Sequence, residues 1–463
     1  MLMEVPDESE GPKCTLNNVT HIDAIQEINV AKFEQAVKAT VYNEPHLRAD
    51  VNLKTESWVP ATNFSELFSF KDLTENGYKT VGDIWPMVLA DGSRPWEYGS
   101  GKPLYRCTLL KVVGGYMVMN CYHHATGDGT SGMLIMGGIM EQYDALWSGN
   151  DVLLHPHTPK PCVEDLTNIP DSSGVLKSLV DAKVTLGRHP STVLPFDQPE
   201  PSLAGHGETI TIFTEGMPEN YECIRKRCHA EMVTVGSLAL ACTYLSQAVM
   251  HAELLGQDAD VYQGMAEQAV DVPVNVRRHV DPAFGDEYCG LYITEVTTNL
   301  SVDTSTKLWP LARLIGQRMK DMIDRKHHLL FSQAKEMFET GEESHLAAHA
   351  TPEVIVSNLR FYPFNLNFEW GNIRSVHSSA TTYSGPGFPH YLLLLQSTNI
   401  LTYNMVHWPG NTNSVHAEKL LNILSGIMES SGETSGDYSL LDILKKYKRQ
   451  DEVALMSKPI AFF

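Results

Sequence analysis

The sequence predicts a layered α/β protein, as two domains or one large two-lobed fold, and three observations predict it. Strand-like and helix-like stretches alternate through both halves, which is the pattern of layered α/β architecture rather than of a bundle or sandwich. At 463 residues the chain exceeds the roughly 250 to 300 at which one hydrophobic core stops growing. Between Asn150 and Pro201 the texture changes to a stretch with eight prolines, which reads as a crossover. The expected division is a first lobe over 1–155, a crossover over 156–200 and a second lobe over 201–463.

The elements follow in order. "LNNVTHIDAIQEINV" is strand-rich, and "AKFEQAVKATVYN" repeats apolar residues at helical spacing before Pro45 ends it and a second strand begins. "LYRCTLLKVVGGYMVMNCY" reads as two strands joined at Gly114-Gly115. Thr130 or Ser131 can cap the helix "GMLIMGGIMEQYDALW", apolar on most faces and so buried. A short helix is expected over 175–186 in the crossover. The second lobe opens with the strand "ETITIFTE" and the apolar helix "VTVGSLALACTYLSQAVMHAELL", with Thr234 at its cap. Then come the strand "DVPVNVRRHVDP", a strand near Tyr292 to Thr298, and one long helix, "LWPLARLIGQRMKDMIDRKHHLL". "EVIVSNLRFYP", "YLLLLQSTNI" and "LTYNMVHWP" are strands, and "SVHAEKLLNILSGIME" is the last amphipathic helix.

Composition narrows the function. The formal charge of −21 disfavours nucleic acid and anionic membranes as partners, because both attract basic faces. The eight cysteines form no CxxC pair and no regular spacing, so neither a zinc site nor a disulfide framework is expected. The N-terminus lacks the basic and apolar regions of a secretory signal, and no apolar run is long enough to span a bilayer. A cytoplasmic monomer is the expectation.

One loop carries chemistry. His123-His124-Ala-Thr-Gly-Asp128-Gly129 sits between the strand ending at Tyr122 and the buried helix. A second pair, His327-His328, is followed by neither Asp nor Gly and is expected to be surface histidine at a helix end. Three readings of the first pair compete. Gly127 and Gly129 make a purely structural turn. His124 and Asp128 are two metal ligands, which need a third, and His155 and His157 have no regular element to aim them. Or an imidazole with an ordinary pKa of about 6.5 accepts a proton from an alcohol or amine at neutral pH, while the acidic residue holds the loop.

The spacing His123-His124-x-x-x-Asp128-Gly129 resembles the signature of the acyl-CoA-dependent acyltransferase superfamily, which includes nonribosomal-peptide condensation domains, alcohol acetyltransferases and BAHD enzymes. Ordered likenesses extend from about residue 20 to 410. "FEQAVKATVYNEPHLRADV" resembles the family's first helix and following strand, and "VTVGSLALACTYL" the helix opening its second lobe. "PVNVRRHVDPAFGDEYCG" is similar to the BAHD Val-Asp/Asn-x-Arg segment, with Arg277 in the arginine position. "VIVSNLRFYP" resembles a Ser-Asn-Leu-Gly strand, and "NFEWG", Asn367 to Gly371 with Trp370, the Asp-Phe-Gly-Trp-Gly motif. Departures exist: Asn367 replaces the aspartate that pairs with the arginine, and Arg360 replaces the glycine of Ser-Asn-Leu-Gly.

The resemblance implies an α/β fold of two chloramphenicol-acetyltransferase-like lobes, each a mixed sheet flanked by helices, with an active-site tunnel between them. It implies transfer of a short acyl group from acyl-CoA, a co-substrate and no bound cofactor, to a hydroxyl or amine of a small hydrophobic, natural-product-type acceptor. His124 takes the general-base role, Asp128 orients the loop through an ion pair with an arginine the sequence does not name, Gly129 lets the chain turn into the helix, and His123 contributes little. Ser357 and Asn358 are oxyanion candidates, and Arg225, Lys226 and Arg227 a candidate patch for CoA phosphates. A carrier-protein-dependent condensation enzyme and a silent binding relative remain the alternatives.

Overall fold

The structure, a computed structural model, describes residues 14–52, 57–60, 69–76, 81–171, 174–188, 209–349, 352–381, 390–407, 412–433 and 437–454. The end of the expected crossover, 189–200, and residues 201–208 lie outside them.

In the first half, β1 (Thr15–Ala24) leads to α1 (Val30–Asn43), β2 (Ala49–Asn52), β3 (Ser57–Pro60), β4 (Ser69–Leu73) and α2 (Val81–Gly92). The hairpin β5 (Tyr105–Val112) and β6 (Gly115–His123) turns at Gly114-Gly115 as expected, and α3 (Gly129–Trp147) follows. Between the halves lie α4 (Val163–Thr167) and α5 (Val175–Arg188). The second half runs β7 (Ile210–Glu215), α6 (Pro218–Ala230), α7 (Val235–Leu254), β8 (Met265–Asn275), β9 (Ile293–Val302), α8 (Leu308–Asp324) and α9 (His327–Thr340). It ends with β10 (Val354–Phe361), β11 (Asn367–Phe368), β12 (Gly371–Thr381), β13 (Tyr391–Ser397), β14 (Leu401–His407), α10 (Ser414–Ser430) and α11 (Leu440–Ala454).

Two six-stranded mixed sheets form, in the orders β11-β12-β1-β6-β5-β4 and β7-β14-β13-β10-β8-β9. Each has its own core. On the first, Phe33, Ala36 and Val37 of α1 pack with Met133, Met136, Ile139 and Tyr143 of α3. On the second, α7 is buried along nearly its whole length, and Thr234 caps it by accepting from the Ser237 N–H. No single helix among the described residues is long and apolar enough to cross a membrane.

The sheets do not divide at residue 201. β11 and β12 hydrogen-bond into the first sheet, although they lie deep in the second half. β12 is also the seam: His377 Nε2 lies 2.9 Å from Glu215 Oε1 and its Nδ1 3.1 Å from Asn404 Oδ1, both on the second sheet. The Thr209 and Thr402 hydroxyls donate to the carbonyls of Ala380 and Val376.

Other expectations need correction. The long helix after Leu308 is two helices, broken where Lys326 takes φ 60°, and α10 is not the last helix, since α11 follows. His328 is not on the surface. It is 1% exposed at the start of α9, edge-on to His279 at 4.7 Å, and burial with neighbouring positive groups pushes it down to about 4.

Candidate active site

β6 ends inside the protein and its last residues enter a 3₁₀ turn over His124–Thr126. The His124 N–H donates to the Cys14 carbonyl at 2.7 Å, fixing the turn against β1. The imidazole lines a cavity of about 1620 Å³ between the two sheets, with Asn18, Tyr122 and Met133 on one side and Asn275, Ser357 and Leu394 on the other. Its Nδ1 is enclosed and makes no hydrogen bond of normal geometry. Burial pushes the ring's pKa below the ordinary histidine value, against the opposing pull of the nearby backbone carbonyls and of Asp128.

His123 points the other way. Its Nδ1 accepts from the Ala125 N–H at 3.0 Å, so a neutral ring carries its proton on Nε2, which donates to the Tyr98 hydroxyl at 2.8 Å. Burial pushes it down to about 3. Trp96 and Tyr98 meet its ring edge-on. It is a packed structural histidine.

Asp128, not Thr130 or Ser131, caps α3: one oxygen accepts from the Ser131 N–H at 2.9 Å while the Ser131 hydroxyl accepts from the Asp128 N–H. Its charge is met by Arg277, 149 residues away, in a bidentate pair at 2.7 and 3.1 Å with both side chains wholly buried. Burial alone would raise this carboxyl, but the guanidinium and the N–H groups of Ser131 and Tyr292 outweigh it and hold it below the usual carboxylate range. A carboxylate so occupied is not a metal ligand. The Arg277 guanidinium also donates to the carbonyls of Tyr288 and Gly290, and the Gly290 carbonyl accepts from the Asp128 N–H and the Ser131 hydroxyl. Gly290 sits at φ +150°, and a Cβ there would lie 2.4 Å from the Tyr292 ring. Asn275 completes the bridge by donating to the Thr130 hydroxyl at 3.2 Å.

The sequence singled out Arg277 but tied it to the Asn367 position. The structure gives it Asp128 instead. Asn367 is exposed, exchanges hydrogen bonds with Asn365 and pairs with Asn372 of β12, while Trp370 is buried against Phe368 and Tyr143 and donates to Asp144 of α3. The segment Asn367–Gly371 thus anchors α3 and does not line the cavity. The sequence reading took Ser131 only as a possible cap and Asn275 only as a motif position, and gave neither a place in the site. Gly290 and Tyr292 lay in or beside a quoted motif, but nothing local says what each bonds.

Gly129 has a different task from the one expected. It is the first helical residue, and a Cβ there would come 2.1 Å from Leu359 Cδ2 of β10, so glycine admits the second lobe at the mouth of the loop. Gly129→Ala is expected to cost about 1–3 kcal/mol in urea unfolding through overpacking. In the double variant with Leu359→Ala the two costs should fall short of their sum by at least ~0.5 kcal/mol; strict additivity would refute the contact.

Of the oxyanion candidates, both line the cavity from β10. Asn358 Oδ1 accepts from the Arg360 N–H, leaving its amide N–H₂ as the donor. Arg360 has φ 68°, the left-handed region that favours glycine. The three basic residues of α6 do not form one patch: Arg225 and Lys226 both lean on Glu222, Arg227 pairs with Glu231, and only Arg225 lines the cavity.

The chain matches no protein-family model and no curated protein. Solved structures do match. The first condensation domain of the CDA synthetase is 14% identical with a TM-score of 0.66, covering 94% of both chains. TRI3 trichothecene 15-O-acetyltransferase from Fusarium sporotrichioides is 11% identical with a TM-score of 0.66, over 90% of this chain and 92% of that one. Polyketide synthase associated protein 5 from Mycobacterium tuberculosis, 11% identical, has a TM-score of 0.62 over 92% and 95%. Across most of its length this chain therefore has the two-lobed fold shared by condensation domains and a trichothecene acetyltransferase.

Proposed function

We propose that the protein transfers an acyl group, acetyl or another short acyl, from acyl-CoA to a hydroxyl or amine of a small hydrophobic acceptor. The observation that carries this reading is His124, a neutral imidazole on the wall of a large inter-sheet cavity, on a loop clamped by Asp128 and Arg277. With Nδ1 enclosed among backbone groups, Nε2 is the nitrogen available to a substrate.

Nε2 takes the proton of the acceptor hydroxyl as its oxygen attacks the thioester carbonyl. The tetrahedral oxyanion is met by donors on β10, the Ser357 hydroxyl and the Asn358 amide, and collapses to the ester. The thiolate leaves with the proton from the imidazolium. Arg225, the one residue of its cluster that lines the cavity, is the residue that meets a CoA phosphate in this reading. Apolar walls at Met133, Leu134, Leu240, Ile355 and Phe364 suit a hydrophobic acceptor and exclude water.

The test is turnover of acetyl-CoA with a panel of alcohols and amines, followed as free thiol. Activity with acyl groups on a phosphopantetheinyl carrier protein but none with acyl-CoA would move the donor to the carrier. The acid limb of kcat/KM should titrate below 6.5, because burial favours the neutral ring and the base stays active at lower pH than a free histidine. A limb at or above 6.5 would argue against His124 as that base.

A further inference from the structure

Past Leu359, the residue packed on Gly129, the cavity meets a group of side chains that the chemistry above leaves unused. Arg360 and Phe361 of β10 and His279, from the loop after β8, line it there, and all three are exposed at its mouth. Behind His279 lies His328, at the start of α9, with the two rings edge-on at 4.7 Å.

This group carries one sign of charge. The Arg360 guanidinium has no ion pair, hydrogen bond or ring contact among the described residues. Its backbone, at φ 68°, costs a residue with a side chain about 1–2 kcal/mol, and strain of this kind gathers at ligand sites. Burial and the Arg360 charge push His279 below the ordinary histidine value, while burial and the charges of His279, His327 and Lys326 do the same to His328. No carboxylate among the described residues pulls either ring the other way. Of the two acids on this rim, Asp286 is taken by Arg278 and the Asn275 amide, and the exposed Glu287 folds back over Gly285. His328 is the second sign of a missing partner. It is 1% exposed, yet neither ring nitrogen has a hydrogen bond, and Lys326 gives the first turn of α9 no side-chain cap. Buried polar groups are ordinarily satisfied, and an uncapped helix start favours an anion.

We propose that this mouth is an acceptor subsite for a carboxylate, which Arg360 and His279 hold, with His328 behind them, while the hydroxyl or amine of the same molecule reaches His124. The inference rests on the acyl-transfer reading for that hydroxyl or amine, but not for the carboxylate. A carboxylate fits better than the phosphates of CoA, because one fixed cation beside imidazoles that start neutral matches a single negative charge rather than several. Arg360 is also one residue from the contact with the helix that follows the His124 loop, whereas a pantetheine arm separates the phosphates of CoA from its thioester.

Calorimetric titration of the full chain with octanoate and octanamide, without any acyl donor, tests the subsite alone. Octanoate should bind about tenfold more tightly than octanamide. Arg360→Gly, which suits the left-handed backbone and so keeps the chain folded, should erase most of that preference, and His279→Gln should reduce it. Equal binding of the two compounds to the native chain, or a preference that survives Arg360→Gly, overturns the subsite. A fall in CoA affinity as large as the fall in octanoate affinity would give the arginine to the donor's phosphates and overturn the carboxylate assignment. Thiol release from acetyl-CoA with 8-hydroxyoctanoate then reads the reaction: no turnover while the octanoate preference stands would overturn the catalytic reading and leave the subsite in place.

Discussion

Arg277→Met is expected to lower the free energy of unfolding by about 3–5 kcal/mol, the usual consequence of leaving one partner of a buried ion pair without the other. The Asp128 carboxylate would keep two backbone donors and the Ser131 hydroxyl but lose the counter-charge of Arg277. Three carbonyl and amide oxygens, on Tyr288, Gly290 and Asn275, would lose a donor as well. The pair joins the lobe that carries His124 to the lobe that carries the opposite cavity wall, so the loss should show as activity too. Asp128→Asn is milder, since the amide still caps α3 and leaves Arg277 four other acceptors. Urea unfolding of the two single variants and the double variant checks this. The double variant should be markedly more stable than the sum of the singles predicts, because it removes both charges together. A cost below about 1 kcal/mol for Arg277→Met would place the pair among those that contribute little.

The elements that face one kind of environment were legible. The β5–β6 hairpin shows its glycine turn between apolar strands, α3 and α7 show continuous apolar faces, and Thr234 shows its cap. β12 was missed for the opposite reason. "GNIRSVHSSAT" mixes Ser and His into a strand buried on both faces, because its polar residues meet Glu215, Thr211 and Gln396 across the seam between sheets. No period of two survives where both faces need polar partners. The break between α8 and α9 falls at Lys326, a residue that neither caps nor breaks helices by type, so its left-handed backbone leaves no mark in the sequence. His328 shows the same gap: a histidine's burial depends on what folds over it, and its own neighbours in sequence are charged on one side and apolar on the other. In the candidate site, the His124 loop was visible as a local spacing. Its clamp was not, since a bond spanning 149 residues leaves no mark on either segment alone.

His124→Ala is expected to lower kcat by about 10²–10⁴, the range of a lost general base, while the chain stays folded. The side chain is half-buried on the cavity wall, its enclosed nitrogen makes no hydrogen bond, and its backbone N–H bond to Cys14 survives the substitution. The folded state therefore loses little. His123→Ala predicts the reverse division, because that ring is bonded at both nitrogens and packed on two aromatics: a loss of stability, with kcat reduced only as far as the neighbouring loop relaxes. The two adjacent histidines thus form an internal control that no remote substitution supplies. Melting curves and initial rates measured on both variants decide the case. If His124→Ala keeps near-native turnover, or if both variants lose activity only in proportion to stability, the imidazole on the cavity wall is a structural residue and the base lies elsewhere. If activity and stability separate between the pair as expected, the chemistry belongs to the ring that makes no structural bond.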